Sequence, residues 1–436
     1  MAAAISLAAC GGDDGYRAQS LATDPAALDS VLNPIAEAYV KLVLAVGEHD
    51  ADYVDAYYGP PDWRAAVEQE QRPLSALRQT ADSLLASLQP LPADSLAPLA
   101  RLRHRYLTRQ LQAVRAYIGI LGGDRLSFDD ESRALYDAVA PTYPESHFRE
   151  LLDSLAAALP GTGELAVRLE RYRRDFIIPR ARVDTVFRAA IAEARRRIAA
   201  HIRLPAGEAF VLEYVTGKPW SGYNWYQGNA QSLIQINTDL PIYIERAVDL
   251  GAHEGYPGHH VYNALLEQSL VRARGWPEYS VYPLFSPQSL IAEGSANFGI
   301  EVAFPGEARL AFERDVLYPL AGLDAARAAE YEHVRRLVEG LSHAGNEAAR
   351  QYLDGAIDAD MAARWLTTHA LYEPERARQR VRFIETFRSY VINYSHGKDL
   401  VQHYVESRAG GDPARRWEVF GELLSSPRLP SGLETR

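Results

Sequence analysis

Disulfides, nucleic-acid binding and membrane spans are all short of material in this chain. Cys10 is the only cysteine in 436 residues, so there is no internal disulfide framework. The net charge of −11 argues against nucleic acid, which demands a basic face. Local basic runs, Arg171-Tyr172-Arg173-Arg174 and Arg195-Arg196-Arg197, fall in helical segments and read as solvated faces. No apolar stretch reads as long enough to span a bilayer. Low-complexity linkers and internal repeats are missing too, so no compositional break separates one part of the chain from another. Strand signals are few, near 209–215 and 232–237.

Helix-forming sequence is plentiful. Most segments are rich in Ala, Leu, Arg and Glu at helical spacing, for example 180–202 and 325–341. With 47% hydrophobic residues the chain can bury one large core or two to three domains. The expected fold is mainly α, a single two-lobed unit over 26–436. Its N-terminal helical lobe takes 26–205 and its second lobe 206–436, with a small β-sheet beside the cleft between them. Gly-Lys-Pro-Trp-Ser-Gly at 217–222 marks a loop near the join.

The most informative stretch is His253-Glu254-Gly255-Tyr256-Pro257-Gly258-His259-His260. Zinc hydrolases need this inventory: neutral imidazoles to hold the ion, a carboxylate to take a proton from water, and a position left open for substrate. The familiar zinc helix puts its second histidine at i+4, and here that position is Pro257. On an unbroken helix His259 would sit about 9 Å further along the axis and roughly 120° round from His253. His260 would return to the same face, but about 10 Å away. A shared ion therefore requires a broken helix, and Pro257-Gly258 supplies the break. A second helix is signalled by Ser286-Pro287 at its start and Pro305 beyond its end. Between them Glu293, Asn297 and Glu301 fall on one face.

The octapeptide resembles the signature of the large bacterial family called domain of unknown function 885, which is similar to the helical zinc peptidases of the carboxypeptidase Taq and oligopeptidase type. Further segments fit in order: Tyr223-Asn224 through Ile236-Asn237-Thr238, then Glu293-Gly294, then Arg336 to His343, then Tyr394-Ser395-His396-Gly397-Lys398. Ser295 departs from the family, where tryptophan usually follows the Glu-Gly pair. The resemblance implies a zincin-like helical architecture and one Zn2+ per chain, held by His253, His259 and Glu293. It favours His259 over His260. It implies Glu254 as general base and Tyr394 or His396 as oxyanion donors, with His343 behind them. Glu301 would orient a ligand histidine, and Asn297, His260 and Asn237 would stand around the site or the substrate. The 232–237 strand is expected at a sheet edge, pairing with substrate backbone.

Leu7-Ala8-Ala9-Cys10 resembles a bacterial lipoprotein processing site, with residues 1–10 as signal and 11–25 as polar tether. That implies a cell-envelope protein facing the periplasm, with membrane contact only through the lipid; a cytoplasmic protein is the alternative. Three functions follow. The first is a zinc peptidase acting on oligopeptides, the second a zinc hydrolase of a non-peptide amide, and the third a non-catalytic peptide-binding lipoprotein. Manganese or cobalt would suit similar ligands.

Overall fold

The computed structural model describes residues 25–91, 96–218 and 220–434. The expected signal, with Cys10, and the tether up to residue 24 lie outside them. The described chain is mainly helical with little strand, as the spacing predicts. The helix expected over 180–202 runs from Val183 to Ala199, and the one over 325–341 from Ala328 to Glu339, each entered through a short 3-10 turn. One continuous apolar core extends from Leu28 to Leu433, with smaller clusters beside it.

Five strands form two small sheets. β1 (Val54–Tyr57) pairs antiparallel with β5 (Val281–Pro283). β2 (Ala209–Val215), β3 (Gly222–Gly228) and β4 (Gln231–Asn237) form the second sheet in the order β2-β4-β3. β4 is parallel to β2 and antiparallel to β3. The expectation of an edge strand at 232–237 is thereby corrected: β4 has a partner on each side and offers no free backbone to a substrate.

Two other expectations change. The Pro25–Gly47 helix contains a stretch, Leu28–Gly47, that is long and apolar enough to cross a bilayer by length and composition. Its buried half packs into the core through residues such as Leu32, Tyr39 and Val43. The tie at one end is polar, where the buried Arg103 guanidinium donates to Asp29, Asn33 and both oxygens of Glu278. The basic runs are solvated only in part: Arg171, Arg174, Arg195 and Arg196 are exposed as expected, but Arg173 and Arg197 are half-buried. Arg173 pairs with the buried Glu245, and Arg197 donates to the carbonyl of Ala303 while pairing with Glu193.

The helix Pro287–Ala303 starts at Ser286 as expected, with proline in its first turn, where a missing N–H costs nothing. The Ser286 hydroxyl does not cap it but donates to the carbonyl of Pro283. This helix is buried on nearly all sides and lies against the Ile392–Ala409 helix through Gly294 and Gly397. A Cβ on Gly294 would collide with the Gly397 carbonyl, and one on Gly397 would come to 2.9 Å from the Leu290 oxygen. Glycine on both faces lets the two backbones touch.

Candidate metal centre

The short helix Glu245–Leu250 runs into a wide π turn, Gly251–Gly255. The Tyr256 N–H closes that turn onto the Gly251 carbonyl at 3.3 Å, and the Gly258 N–H reaches the Ala252 carbonyl at 2.9 Å. Wide turns of this kind re-aim side chains. The chain leaves helical geometry at Tyr256, and a new helix, His259–Leu266, begins just after Gly258. A side chain at position 258 would collide with the His253 carbonyl. The break thus falls where Pro257-Gly258 put it. Its effect is to bring His253 Nε2 and His259 Nε2 to 3.1 Å from one another.

Glu293, from the Pro287–Ala303 helix, completes the group. Its Oε2 lies 3.3 Å from His253 Nε2 and 3.8 Å from His259 Nε2. Ligands about 2.0–2.1 Å from a tetrahedral zinc stand roughly 3.3 Å from each other, which these separations approach. Outer contacts turn the three donor atoms inward. His253 Nδ1 donates to Asn297 Oδ1 at 3.1 Å, and Asn297 Nδ2 in turn donates to the Tyr394 carbonyl at 3.2 Å. The Tyr390 hydroxyl donates to Glu293 Oε1 at 2.8 Å. Glu293 Oε2 is buried and receives no hydrogen bond. Two imidazole nitrogens and a lone carboxylate oxygen, close together and short of donors, are what a divalent cation would satisfy. They form the one such ligand group among the described residues.

The electrostatics suit that use. Burial pushes the His259 imidazolium down to about 4, against the pull of Glu293, so the ring is neutral near pH 7. Burial also lowers His253, but its contact with Glu293 and the charge of Glu254 outweigh this and raise it. Burial alone would raise Glu293; contacts with His253, His259 and Tyr390 hold it below its usual range. Burial pushes Glu254 up to about 7, against the pull of His253 and with a further rise from Glu293. A cation in the cluster would lower it again.

The other expected residues divide. Tyr394 is close: its ring meets that of Tyr390, and the charges of Glu293 and Glu254 both act on its hydroxyl after burial has raised it. His260 faces away, with Nδ1 on Ser232 Oγ at 2.9 Å and Nε2 on Glu208 Oε2 at 3.0 Å. Both its nitrogens are occupied there. Glu208 also accepts from Tyr256 and Arg195, which pins the bend between the two histidines. Glu301 does not orient a ligand histidine, because it pairs with Lys398 at 2.6 Å, and Asn297 holds that position. His396 turns to the opposite side of its helix from Tyr394, toward Asp399 and His343, and His343 pairs with Asp399 at 3.0 Å. Asn237 donates to the carbonyls of Lys218 and Trp220 and braces the 217–222 loop.

Sequence reasoning missed three residues. Tyr390 stands one helical turn before Tyr394, a spacing that would have flagged it. Asp55 and Tyr223, hydrogen-bonded to each other, come from β1 and β3. No local pattern marks Asp55.

The sequence matches no protein-family model and no curated protein. Its fold has been seen before. A crystal structure described as "the putative lipoprotein from Colwellia psychrerythraea" superposes with a TM-score of 0.51 over 85% of this chain and 70% of that one. The two are 14% identical, so the likeness concerns fold.

Proposed function

We propose that the protein is a zinc-dependent hydrolase of peptide bonds, with a zincin-like two-lobed architecture. The observation that carries this reading is the convergence of His253 Nε2, His259 Nε2 and Glu293 Oε2, the last without a hydrogen-bond donor. Zinc held there would polarise the scissile carbonyl and acidify a water. Glu254 takes the proton from that water as its oxygen bonds to the carbonyl carbon, then gives it to the leaving nitrogen as the C–N bond breaks. The products are a carboxylate and an amine. We assign the oxyanion's donor to the Tyr394 hydroxyl, on which the charges of Glu293 and Glu254 both act. Asn297 and Tyr390 hold the ligands in place.

Elemental analysis of purified protein tests the assignment. Wild type and His260→Ala are expected to carry near-stoichiometric zinc and His259→Ala to lose it. Glu254→Gln should keep the metal and lose turnover by about 10²–10⁴-fold. Metal loss in His260→Ala alone would overturn the ligand set. The fold shared with a protein described as a lipoprotein supports the reading of Cys10 as a lipid attachment site in the cell envelope. Fatty-acid labelling that persists in Cys10→Ser would refute it.

A further inference from the structure

Beside the ligand group lies a carboxylate that the hydrolytic reaction does not use. Asp55 sits on β1, whose partner β5 leads directly into the helix carrying Glu293. Asp55 Oδ1 accepts from the Tyr223 hydroxyl, while Oδ2 makes no hydrogen bond among the described residues. The side chain keeps some solvent access. Tyr223 follows Gly222, and a Cβ on Gly222 would stand 3.0 Å from Glu254 Oε1, so the β3 strand carrying Tyr223 runs against the general base. Glu254 itself is 5% exposed. Asp55 lies outside the one ligand group found among the described residues.

The charges show what is missing. With a divalent ion held by His253, His259 and Glu293, the ionised carboxylates of Asp55, Glu254 and Glu293 would together leave one negative charge in excess. Two arginines reach the region only from a distance. Arg246 lies 3.9 Å from Asp249, and Arg380 stacks over Phe383 at 4.4 Å. Burial, with a contribution from Glu293, lifts Asp55 to about 6 despite the Tyr223 hydrogen bond, as expected of a carboxylate that lacks a cation.

We propose that Asp55, held by Tyr223, binds the α-ammonium of the substrate, making the protein a peptidase for short peptides with a free amino terminus. This rests on the hydrolase reading above. In a terminal residue the amino nitrogen is about 2.5 Å from its own carbonyl carbon, and each further residue adds at most about 3.6 Å. An anchored amino terminus therefore fixes how many residues are released in each cut.

The test uses trialanine and N-acetyl-trialanine. Cleavage is followed in wild type and Asp55→Asn, and binding by calorimetry in Glu254→Gln with and without Asp55→Asn. Asparagine keeps the acceptor for Tyr223, so the fold is preserved, and Tyr223→Phe serves as a second probe that should weaken the preference without abolishing it. Trialanine should be favoured by about tenfold or more in both kcat/KM and affinity, and Asp55→Asn should erase this by weakening trialanine alone. Equal treatment of the two peptides in wild type, or a preference that survives Asp55→Asn, overturns the proposal. Cleavage without preference sinks this site and leaves the hydrolase reading intact. Preferential binding without cleavage does the reverse, and neither binding nor cleavage sinks both.

Discussion

At the scale of single residues, the ligand atoms depend on what holds them from behind. Tyr390 and Asn297 each make one hydrogen bond to a ligand side chain, and Glu301 makes none. Tyr390→Phe and Asn297→Leu should each weaken zinc binding by about 10–100-fold in a chelator competition, while Glu301→Gln should leave it unchanged. An equal loss in all three would mean that the outer contacts have been misread. The three candidate donors were named from the sequence, two because they lie on one short bend and Glu293 because of the family resemblance, and the structure brings them together. Of the outer contacts Asn297 was named there and Tyr390 was not. Glu301 shares a helical face with Glu293 and Asn297, but face alone does not reveal that Lys398 waits on the neighbouring helix to claim it. Asp55 is 198 residues upstream of His253 and reaches the site through the pairing of β1 with β5 and its hydrogen bond to Tyr223 on β3.

At the scale of elements, two helices carry the site's rear wall, and their spacing is set by glycine. Gly294→Ala would drive a methyl group into the Gly397 carbonyl, backbone that cannot swing aside. A loss of roughly 1–3 kcal/mol in urea unfolding is expected, together with weaker metal binding as Glu293 shifts. A variant as stable as wild type would show that the helices can part freely. The sheet gives the opposite lesson about legibility. The alternating pattern at 232–237 and the run at 209–215 were both readable as strands, but β3 was not. Its Gly-Tyr-Asn-Trp-Tyr-Gln-Gly sequence is bounded by glycines and lacks the Val and Ile that mark the others. The edge position expected of β4 came from the family resemblance, and it fails because β3 closes the side that β2 leaves open.

At the scale of the whole molecule, buried histidines make stability depend on pH. Burial depresses His396 to about 4, against an ordinary value of 6.5. Between those two values the unfolded chain binds a proton that the folded chain refuses, so this group's contribution falls as pH drops from 6.5 to about 4 and is flat below. Glu254 and Asp55, both raised, act in the opposite sense over much of the same range. The difference between wild type and His396→Gln isolates one group: wild type should lose stability relative to the variant between pH 7 and 4.5 in urea titrations. A constant difference would mean that His396 charges freely in the folded state.

The apolar N-terminal helix has a consequence for how the chain is made. Part of its face is covered by helices completed by Leu121, but Glu278, which takes two of the hydrogen bonds from buried Arg103, is translated about 250 residues after Leu28. At about 5–20 residues per second, that is roughly 12–50 seconds during which a stretch greasy enough for a bilayer stands only partly sheltered. Until the ribosome has passed Glu278 and β5, part of that helix has no partner within the chain.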